Sequence, residues 1–443
     1  MKKTFSRNTS RRDFVKGTSL MAGGILAAPL LSRANFFSGA DDTIKIAVVG
    51  CGGRGTGAAM QALSSKQNVK IVAMADAFKD NLDNCHKSLT DEINNSIGEL
   101  AKRLDVPEER RFTGFDGYQK AIALADVVIL ATPPGFRPIH FAEAIKQGKH
   151  VFMEKPVATD PAGIQSVLAT AAIAKEKKLN VVVGLQRHYQ NSYRELYKRK
   201  DMIGDITSAQ AWWDNDGVWV RPRKYNQTEM EYQMRNWYYF NWLCGDHITE
   251  QHIHNLDVIN WFKGGHPIKA QGFGGRQVRK GKDHGEIFDH HFVEFEYADG
   301  SILNSQCRHI PGTMSKVDEL LIGTKGKIFC GSAHIKDHSG KIIYQYDTKL
   351  ENNPYQSEHD ELFAAIAKGE YKFADAENGA SSTMTSIMGR MATYSGQIIE
   401  WDKAINSGID IHPKKYDWNA EPPVMPNADG YYPIAIPGVT KYF

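Results

Sequence analysis

The first third of the chain alternates short apolar runs with helix-like segments. Three β-rich apolar runs end in glycine, in an acid or just before a turn, and they are Thr43–Gly50, Val69–Asp76 and Ala125–Ala131. Phe141–Gly148 has a helical pattern with a glycine stop, and His150–Glu154 is a further short strand. Strands that alternate with helices predict an α/β fold, a doubly wound parallel sheet with helices on both faces.

The pattern changes in the second half of the chain. Phe292–Tyr297 and Ser301–Gln306 flank an Asp299-Gly300 turn, which predicts an antiparallel hairpin. Residues 357–368 and 376–400 read as helices. Helices and antiparallel strands in separate runs predict an α+β domain after the parallel sheet.

The length of 443 residues exceeds what one hydrophobic core usually supports, so more than one domain is expected. We predict a signal peptide over residues 1–40 and a dinucleotide-binding domain over 41–157. An α+β domain follows over 158–409. Residues 410–443 are rich in proline and aromatic residues and lack periodicity, which predicts an arm laid over this subunit or a neighbour.

Composition excludes several classes of protein. The net charge of +3 is small, and six lysines and arginines lie in the first 16 residues, so the remainder is nearly neutral. That balance argues against nucleic-acid binding. The five cysteines show no CxxC spacing, so we predict buried thiols rather than a disulfide framework or a zinc site.

The N-terminus has the pattern of an export signal. Ser10–Lys16 contains paired arginines followed by Phe and Lys, and an uncharged stretch, Gly17–Leu31, follows it. The stretch is too short to span a bilayer comfortably, and Ser32–Ala34 or Ser38–Ala40 could be the cleavage site. The motif resembles the twin-arginine signal, which implies the twin-arginine machinery as a partner, a periplasmic location and no stable membrane insertion.

A glycine-rich loop follows the first predicted strand. The sequence GCGGRG at residues 50–55 lies between a strand and a helix, the context that makes GxGxxG informative. Gly50 permits the tight turn, Gly52 lets backbone approach a pyrophosphate, and Gly55 lets helix and strand pack closely. Asp76 ends the next strand, 21 residues beyond Gly55. An acid there binds ribose hydroxyls and repels a 2′-phosphate, which favours NAD over NADP.

The run KHVFMEKP at residues 149–156 resembles the glucose–fructose oxidoreductase, inositol dehydrogenase and rhizopine-catabolism family (Gfo/Idh/MocA). The turn at 132–134, His140 after it and the Gly323–Gly326 turn extend the resemblance. It implies that Lys155 lies beside the nicotinamide and the reacting hydroxyl. It also implies a second domain with a large open, mainly antiparallel sheet, whose exposed face makes a dimer or tetramer contact. The residues we assign to the NAD site are Gly50, Gly52, Gly53, Arg54, Gly55, Asp76, Thr132, Pro133, His140, Glu154, Lys155 and Gln186.

The resemblance also predicts the catalytic residues. Family members carry a D-x-x-x-H-x-x-D helix, and the matching positions here are Glu250, His254 and Asp257, with glutamate in place of the first aspartate. At this spacing, the three side chains would lie on one helical face. His254 is the expected general base, and Lys155 would hydrogen-bond the reacting oxygen. Glu250 would orient the imidazole or contact a substrate hydroxyl.

A metal site is an alternative use of the histidines. His247, His252 and His254, with Asp246 or Glu250 and residues 289–291, could supply ligands. No pair of histidines in 247–254 has the HxxxH spacing that places two ligands on one helical face. We therefore predict no metal.

Ten aromatic residues occur in the 31 residues 212–242, interleaved with Asp, Asn and Arg. Aromatic rings pack on the C–H faces of pyranoses, while charged and amide groups bind hydroxyls, so this segment predicts a carbohydrate pocket. Several of these rings would belong to the core or to a subunit contact. The predicted substrate-binding residues are Arg187, Tyr232, Trp237, Asp246, His247 and Asp257.

The resemblance leaves two enzymatic activities open. One is NAD-dependent oxidation of a hydroxyl on a sugar, glycoside or polyol, with a tightly bound cofactor. The other is redox-neutral glycoside cleavage, as in NAD-dependent α-N-acetylgalactosaminidases. It proceeds by transient oxidation, elimination, water addition and re-reduction. A third reading, a sugar sensor without catalysis, is disfavoured by the presence of Lys155 and His254.

Overall fold

The computed structural model describes residues 43–95 and 99–443, and these form two β-sheets with associated helices. The predicted signal peptide lies outside the described residues. Within them, no helix is both long and apolar enough to cross a membrane. All five cysteines are free and buried, as predicted.

The first sheet has six parallel strands in the order β3-β2-β1-β4-β5-β6. The strands are β1 (Ile44–Val49), β2 (Val69–Asp76), β3 (Arg111–Thr113), β4 (Val127–Leu130), β5 (His150–Met153) and β6 (Val181–Val183). The helices between them are α1 (Gly53–Leu63), α2 (Lys79–Asn95), α3 (Gly117–Ala123), α4 (Arg137–Lys146) and α5 (Pro161–Glu176). The predicted doubly wound sheet is confirmed, and its apolar runs are strands buried on both faces.

The parallel sheet extends beyond residue 157, where the sequence prediction ended this domain. Helix α5 and strand β6 follow that position, and β6 pairs with β5. The boundary at 157 was therefore too early, because the E-K-P segment is followed by one more helix and strand of the same sheet.

The second sheet has nine strands in the order β14-β13-β12-β11-β7-β10-β9-β8-β15. Its strands are β7 (Ile206–Asn215), β8 (Lys269–Gly275), β9 (His290–Glu296), β10 (Ile302–His309), β11 (Lys316–Gly323), β12 (Gly326–Phe329), β13 (His334–Asp337), β14 (Ile342–Gln345) and β15 (Ile399–Glu400). All neighbours are antiparallel except β7 and β10, and the predicted hairpin is β9–β10. Along β9 and β10 buried residues alternate with partly exposed ones, so one face of the sheet is covered and the other is open.

Eight further α-helices follow β6 in the described part of the chain. They are α6 (Asn191–Tyr197), α7 (Glu229–Arg235), α8 (Asn241–Cys244), α9 (His247–Glu250), α10 (Ile253–Lys263), α11 (Pro354–Ala367), α12 (Ala376–Ser395) and α13 (Trp401–Ile405). The helix predicted to reach residue 400 ends at Ser395, because Gly396 takes a left-handed conformation with φ of +70° and the chain then enters β15. Helix α11 packs its apolar side into the core of the parallel sheet, so it completes the first domain from far along the chain.

The C-terminal arm, residues 410–443, lies over its own subunit. The ring of Trp418 packs at 4.5 Å from that of Phe115 and at 5.1 Å from that of Phe78. The hydroxyl of Thr228 donates to the carbonyl of Trp418 at 2.6 Å. The arm thereby joins loops of the first domain to the segment that precedes α7.

Candidate active site

One cavity of about 810 Å³ opens at the carboxyl ends of the parallel strands. In open α/β sheets, ligands bind where the strand order reverses direction, and here that point lies between β1 and β4. Residues of both domains line the cavity. The lining includes Gly50, Gly52, Gly53, Arg54, Asp76, Thr132, Pro133, His140, Glu154, Lys155, Gln186, Trp213, Trp219, Arg221, Trp237, Glu250, Gln251, His254 and Tyr355.

The glycine loop has the geometry that its sequence predicts. Gly50 adopts φ of +95°, and a Cβ there would lie 2.4 Å from the backbone nitrogen of Thr132. A Cβ on Gly55 would lie 1.8 Å from the Gly50 oxygen, so only glycine lets α1 approach β1 this closely. Gly52 and Gly53 instead have open space where a Cβ would be, at the N-terminus of α1. The free N–H groups and partial positive charge of that terminus suit a phosphate.

Asp76 is held at the end of β2 by neighbouring donors. Its carboxylate accepts the backbone N–H of Cys51 at 2.7 Å and that of Phe78 at 2.8 Å. Burial raises the pKa of Asp76, and these two N–H donors oppose that rise. The carboxylate therefore joins the glycine loop to the β2 end at the position expected to meet a ribose.

Arg54 and Glu154 form an ion pair on the wall of the cavity. The guanidinium also lies 3.2 Å from Glu358, and its centre lies 5.2 Å from the ring centroid of Tyr355. Glu358 and Tyr355 belong to α11, about 300 residues after the glycine loop. No motif in the sequence signals their contribution.

A buried arginine fixes the turn after β4. Arg137 donates to the backbone carbonyls of Glu154 at 2.9 Å and of Thr132 at 2.6 Å, and it is almost fully buried. No motif in the sequence marks this residue. The Thr132 hydroxyl lies 3.1 Å from Nδ1 of His140, whose pKa burial lowers to about 3. His140 is thus a neutral imidazole in the cavity wall.

Lys155 lies at the centre of the cavity and pairs with Glu250. Its Nζ lies 2.9 Å from the Glu250 carboxylate and 2.5 Å from the Glu250 backbone carbonyl. Both side chains are largely buried. Among the alternatives for Glu250, its observed partner is the lysine ammonium, and no imidazole contact is recorded for it in the described residues.

His254 lies against Trp213 in the same cavity, with ring centroids 5.9 Å apart and planes 25° apart. Its Nδ1 is buried without a hydrogen-bond partner in the described part of the chain. Burial lowers the pKa of His254 well below its ordinary value, and the charges of Lys155 and Arg187 lower it further. The imidazole is therefore neutral at pH 7, the state in which it can accept a proton.

The predicted single helical face of Glu250, His254 and Asp257 is wrong. Glu250 is the last residue of α9 and His254 is the second residue of α10, and the helix is interrupted between them at Gln251 and His252. Asp257 is buried outside the cavity lining, where it accepts from Nε2 of His188 at 2.8 Å and from the Ser382 hydroxyl at 2.8 Å.

Three further predicted substrate residues lie outside the cavity lining. Asp246 and His247 are fully buried, joined at 2.8 Å, and Asp246 lies 3.2 Å from Nε2 of His291. This Asp246–His247–His291 group has the spacing of a small metal site, yet the Asp246 carboxylate also accepts the Tyr394 hydroxyl at 2.6 Å and a backbone N–H. Tyr232 donates to Asp283 at 2.8 Å inside an aromatic core.

Arg187 lies in a neighbouring cavity of about 310 Å³, where it pairs with buried Glu319. Gln186 lines both cavities, and its Nε2 donates to the Tyr355 hydroxyl at 3.2 Å. The Oε1 of Gln186 is buried without a partner in the described residues. Arg187 therefore acts on the main cavity through charge rather than by direct contact.

Aromatic residues form one side of the main cavity, as predicted. Trp219 and Trp237 lie edge to face at 5.8 Å, and the Arg221 guanidinium lies 4.5 Å from the Trp219 ring centroid. Trp213 lies beside His254 in the same cavity. Trp237 was the only one of these assigned to substrate from the sequence, and the composition of residues 212–242 was the available signal for the others.

These features together define a dinucleotide-binding Rossmann domain. Open space at Gly52 and Gly53, a free helix N-terminus and an acid at the end of β2 fit NAD. Residues 44–185 match the sequence model of the Gfo/Idh/MocA oxidoreductase family, described as a NAD-binding Rossmann fold. The N-terminal domain is thus similar to the NAD-binding domain of this family, and NAD is its cofactor.

Similar proteins extend this match. The 2,7-anhydro-N-acetylneuraminate hydratase of Escherichia coli K12 is 26% identical over 181 residues, which cover 40% of this chain and 44% of the hydratase. A glycosyl hydrolase family 109 protein of Solibacter usitatus is 30% identical over 166 residues, 34% of this chain and 33% of the relative. The chain thus spans less than half the length of these relatives. An inositol 2-dehydrogenase of Cereibacter sphaeroides is 23% identical over 78% of this chain and 92% of its own.

Solved structures share the fold of both domains. The scyllo-inositol dehydrogenase of Lactobacillus casei, solved with NAD(H) and scyllo-inositol, has a TM-score of 0.60 at 21% identity and covers 81% of this chain and 99% of its own. The aldose-aldose oxidoreductase of Caulobacter crescentus, solved with glycerol, has a TM-score of 0.63 at 16% identity and covers the same shares.

Proposed function

We propose that this protein is an oxidoreductase that uses tightly held NAD to oxidise a hydroxyl of a sugar, glycoside or polyol. The observation that carries the proposal is one cavity that contains the glycine loop, the Lys155–Glu250 pair and the neutral His254. The names of the inositol dehydrogenase relatives support the substrate class.

NAD, His254, Lys155 and Glu250 have separate roles in the proposed reaction. When bound, NAD supplies the hydride acceptor. His254 accepts the proton of the reacting hydroxyl, because burial keeps its imidazole neutral. Lys155 donates a hydrogen bond to the reacting oxygen and stabilises alkoxide character, while Glu250 holds the ammonium in place at 2.9 Å.

The cavity wall suits a carbohydrate ring. Trp219 and Trp237 offer apolar faces to C–H groups, and Arg221 adds donors for hydroxyl oxygens. Tyr355 of α11 lines the cavity, and Trp418 of the arm packs on Phe78, another lining residue. Both contacts favour retention of the cofactor.

Export and assembly complete the proposal. The paired arginines before an uncharged stretch support transport of the folded protein by the twin-arginine route into the periplasm. The open face of the nine-stranded sheet supports a homodimer or homotetramer.

A redox-neutral glycosidase is the second candidate. Its support is the similarity to the family 109 protein and to the hydratase, together with the export signal. An exported enzyme has no free NAD pool, so a cycle that re-reduces its own intermediate would not stall.

The test begins with the purified protein, denatured and assayed for released NAD. The native protein is then given scyllo-inositol, myo-inositol, free hexoses and p-nitrophenyl glycosides, with NADH absorbance and nitrophenol release recorded. Polyol-dependent NADH supports the dehydrogenase, and nitrophenol without net NADH supports the glycosidase. Lys155→Met should abolish either activity with NAD still bound, whereas Lys146→Met, on an exposed turn of α4, should not. A Lys155→Met enzyme with full turnover would refute the assignment.

A further inference from the structure

Gln251 stands between the catalytic side chains without a role in the chemistry above. It follows Glu250, caps α9 and lines the main cavity. Its Oε1 lies 2.7 Å from Nε2 of His309, a buried residue at the end of β10. The direction of this hydrogen bond decides which end of the Gln251 amide faces the cavity.

A buried arginine fixes that direction. Nη2 of Arg279 lies 2.7 Å from Nδ1 of His309. A guanidinium donates only, so Nδ1 must be the acceptor and the ring proton must be on Nε2. The Nε2–H of His309 therefore donates to Oε1 of Gln251. The carboxamide nitrogen, with its two N–H groups, is then the end of the amide that Gln251 can offer to the cavity it lines.

The arginine is itself held by its surroundings. The Asp289 carboxylate accepts three consecutive backbone N–H groups, from Gln277 at 2.7 Å, Val278 at 2.6 Å and Arg279 at 3.0 Å. Arg279 also donates from Nη1 to the carbonyl of Phe288.

The His309 ring is held as well. It stacks at 4.5 Å on the ring of His247 and at 6.0 Å on that of Tyr238. Burial lowers the pKa of His309 far below its ordinary value, which agrees with a neutral ring that carries one proton.

We propose that Gln251 is a substrate-specificity residue whose amide N–H binds an uncharged acceptor oxygen of the substrate, a hydroxyl or carbonyl oxygen of a sugar or polyol. His309 and Arg279 are positioning residues that fix the amide in the donating orientation. The proposal rests on the proposed function for the identity of the ligand. A site built to donate to an oxygen discriminates against ligands that lack the acceptor, because the buried donor is then left unpaired.

The kinetic test uses the polyol that reduces the bound NAD in the panel above, and its ketone. Gln251→Met keeps the side-chain length without a donor, and it should raise KM for the polyol about tenfold with a smaller change in kcat. Gln251→Glu accepts but does not donate, so it should also raise KM for the ketone, whose carbonyl oxygen can only accept a hydrogen bond. Gln165→Met, on an exposed turn of α5, is the matched control and should leave KM unchanged. An unchanged KM for the polyol in Gln251→Met would overturn the proposal.

A double-mutant cycle tests the positioning residue. His309→Phe frees the amide to rotate and should raise KM about twofold, since two orientations then share the site equally. Adding His309→Phe to Gln251→Met should cost nothing further in KM. Additive losses would overturn the coupling and indicate that His309 supports the fold alone.

A measurement that needs no turnover separates failure of this inference from failure of the proposed function. Long-range ¹H–¹⁵N correlation spectra of ¹⁵N-histidine-labelled protein report the tautomer of His309, assigned by its loss in His309→Phe. The Nε2–H tautomer is expected. An Nδ1–H ring would overturn the inference even in an active enzyme, whereas a protein inert toward every sugar but with the Nε2–H ring would refute only the proposed function.

Discussion

A buried histidine outside the active site gives a quantitative prediction about stability. His359 lies in α11 at 0% exposure, with its ring 4.1 Å from that of Phe152. Neither ring nitrogen has a hydrogen-bond partner in the described part of the chain. Burial lowers the pKa of His359 from 6.5 to about 3. We predict that His359→Leu stabilises the protein, and more so in acid.

The magnitude follows from the difference in proton binding. The native pKa is below the unfolded one, so between the two values the unfolded chain binds a proton that the native protein does not, and stability falls as pH falls. At pH 5.0 the resulting loss of native stability is about 2 kcal/mol, because pH 5.0 lies about 1.5 units below the unfolded pKa of 6.5 and each unit contributes about 1.36 kcal/mol. At pH 7 the gain is about 1 kcal/mol or more, because an unpaired buried polar group is removed.

The assay is urea unfolding followed by tryptophan fluorescence at pH 7.0 and 5.0, after refolding has been checked. The stability difference between His359→Leu and the parent should grow by about 2 kcal/mol between the two pH values. His338→Leu, which removes an exposed imidazole, is the matched control and should show no such growth. A difference that is the same at both pH values would refute the reasoning, since it would mean that His359 is protonated alike in the native and unfolded states.

Other predictions concern the site directly. Gly55→Ala should abolish NAD retention, because its Cβ would lie 1.8 Å from the Gly50 carbonyl oxygen. Gly57→Ala is the control, because its Cβ would lie 3.6 Å from a flexible side-chain atom of Arg54, and it should retain NAD. Retention is measured as the NAD released on denaturation. Asp76→Asn removes the charge that repels a 2′-phosphate, so the ratio of NAD to NADP affinity should fall, as titration of both dinucleotides would show. Trp219→Ala should raise KM with little change in kcat if the ring only binds the sugar, and a selective loss of kcat would contradict this. Since the pKa of His254 is lowered, kcat/KM should hold as pH falls through 6.5 and decline only at lower pH; a decline centred on 6.5 would place another group in control.

Local features of the site could be predicted from the sequence because their geometry is set within a few residues. The glycine loop and Asp76 belong to one strand–helix–strand unit, whose backbone leaves little freedom. The same holds for Lys155, which directly follows a buried strand. The β9–β10 hairpin could likewise be predicted from its Asp299-Gly300 turn.

Features set by long-range contacts could not be predicted in this way. Helical spacing placed Glu250, His254 and Asp257 on one face, but the buried side chain of His252 binds the Ser305 hydroxyl at 2.6 Å where the helix is interrupted. Asp257 instead pairs with a half-buried histidine, His188. Such polar pairs within a core leave no periodic signal, so the sequence could not separate a structural acid from a substrate ligand.

The arm has a consequence for the order in which the enzyme becomes competent during its synthesis. Trp418 packs on Phe78 and Phe115, which line the cavity, and Tyr355 of α11 closes another side. These residues leave the ribosome long after the glycine loop. A nascent chain that has finished its parallel strands therefore still lacks part of the wall of the cofactor pocket and the arm that packs on it.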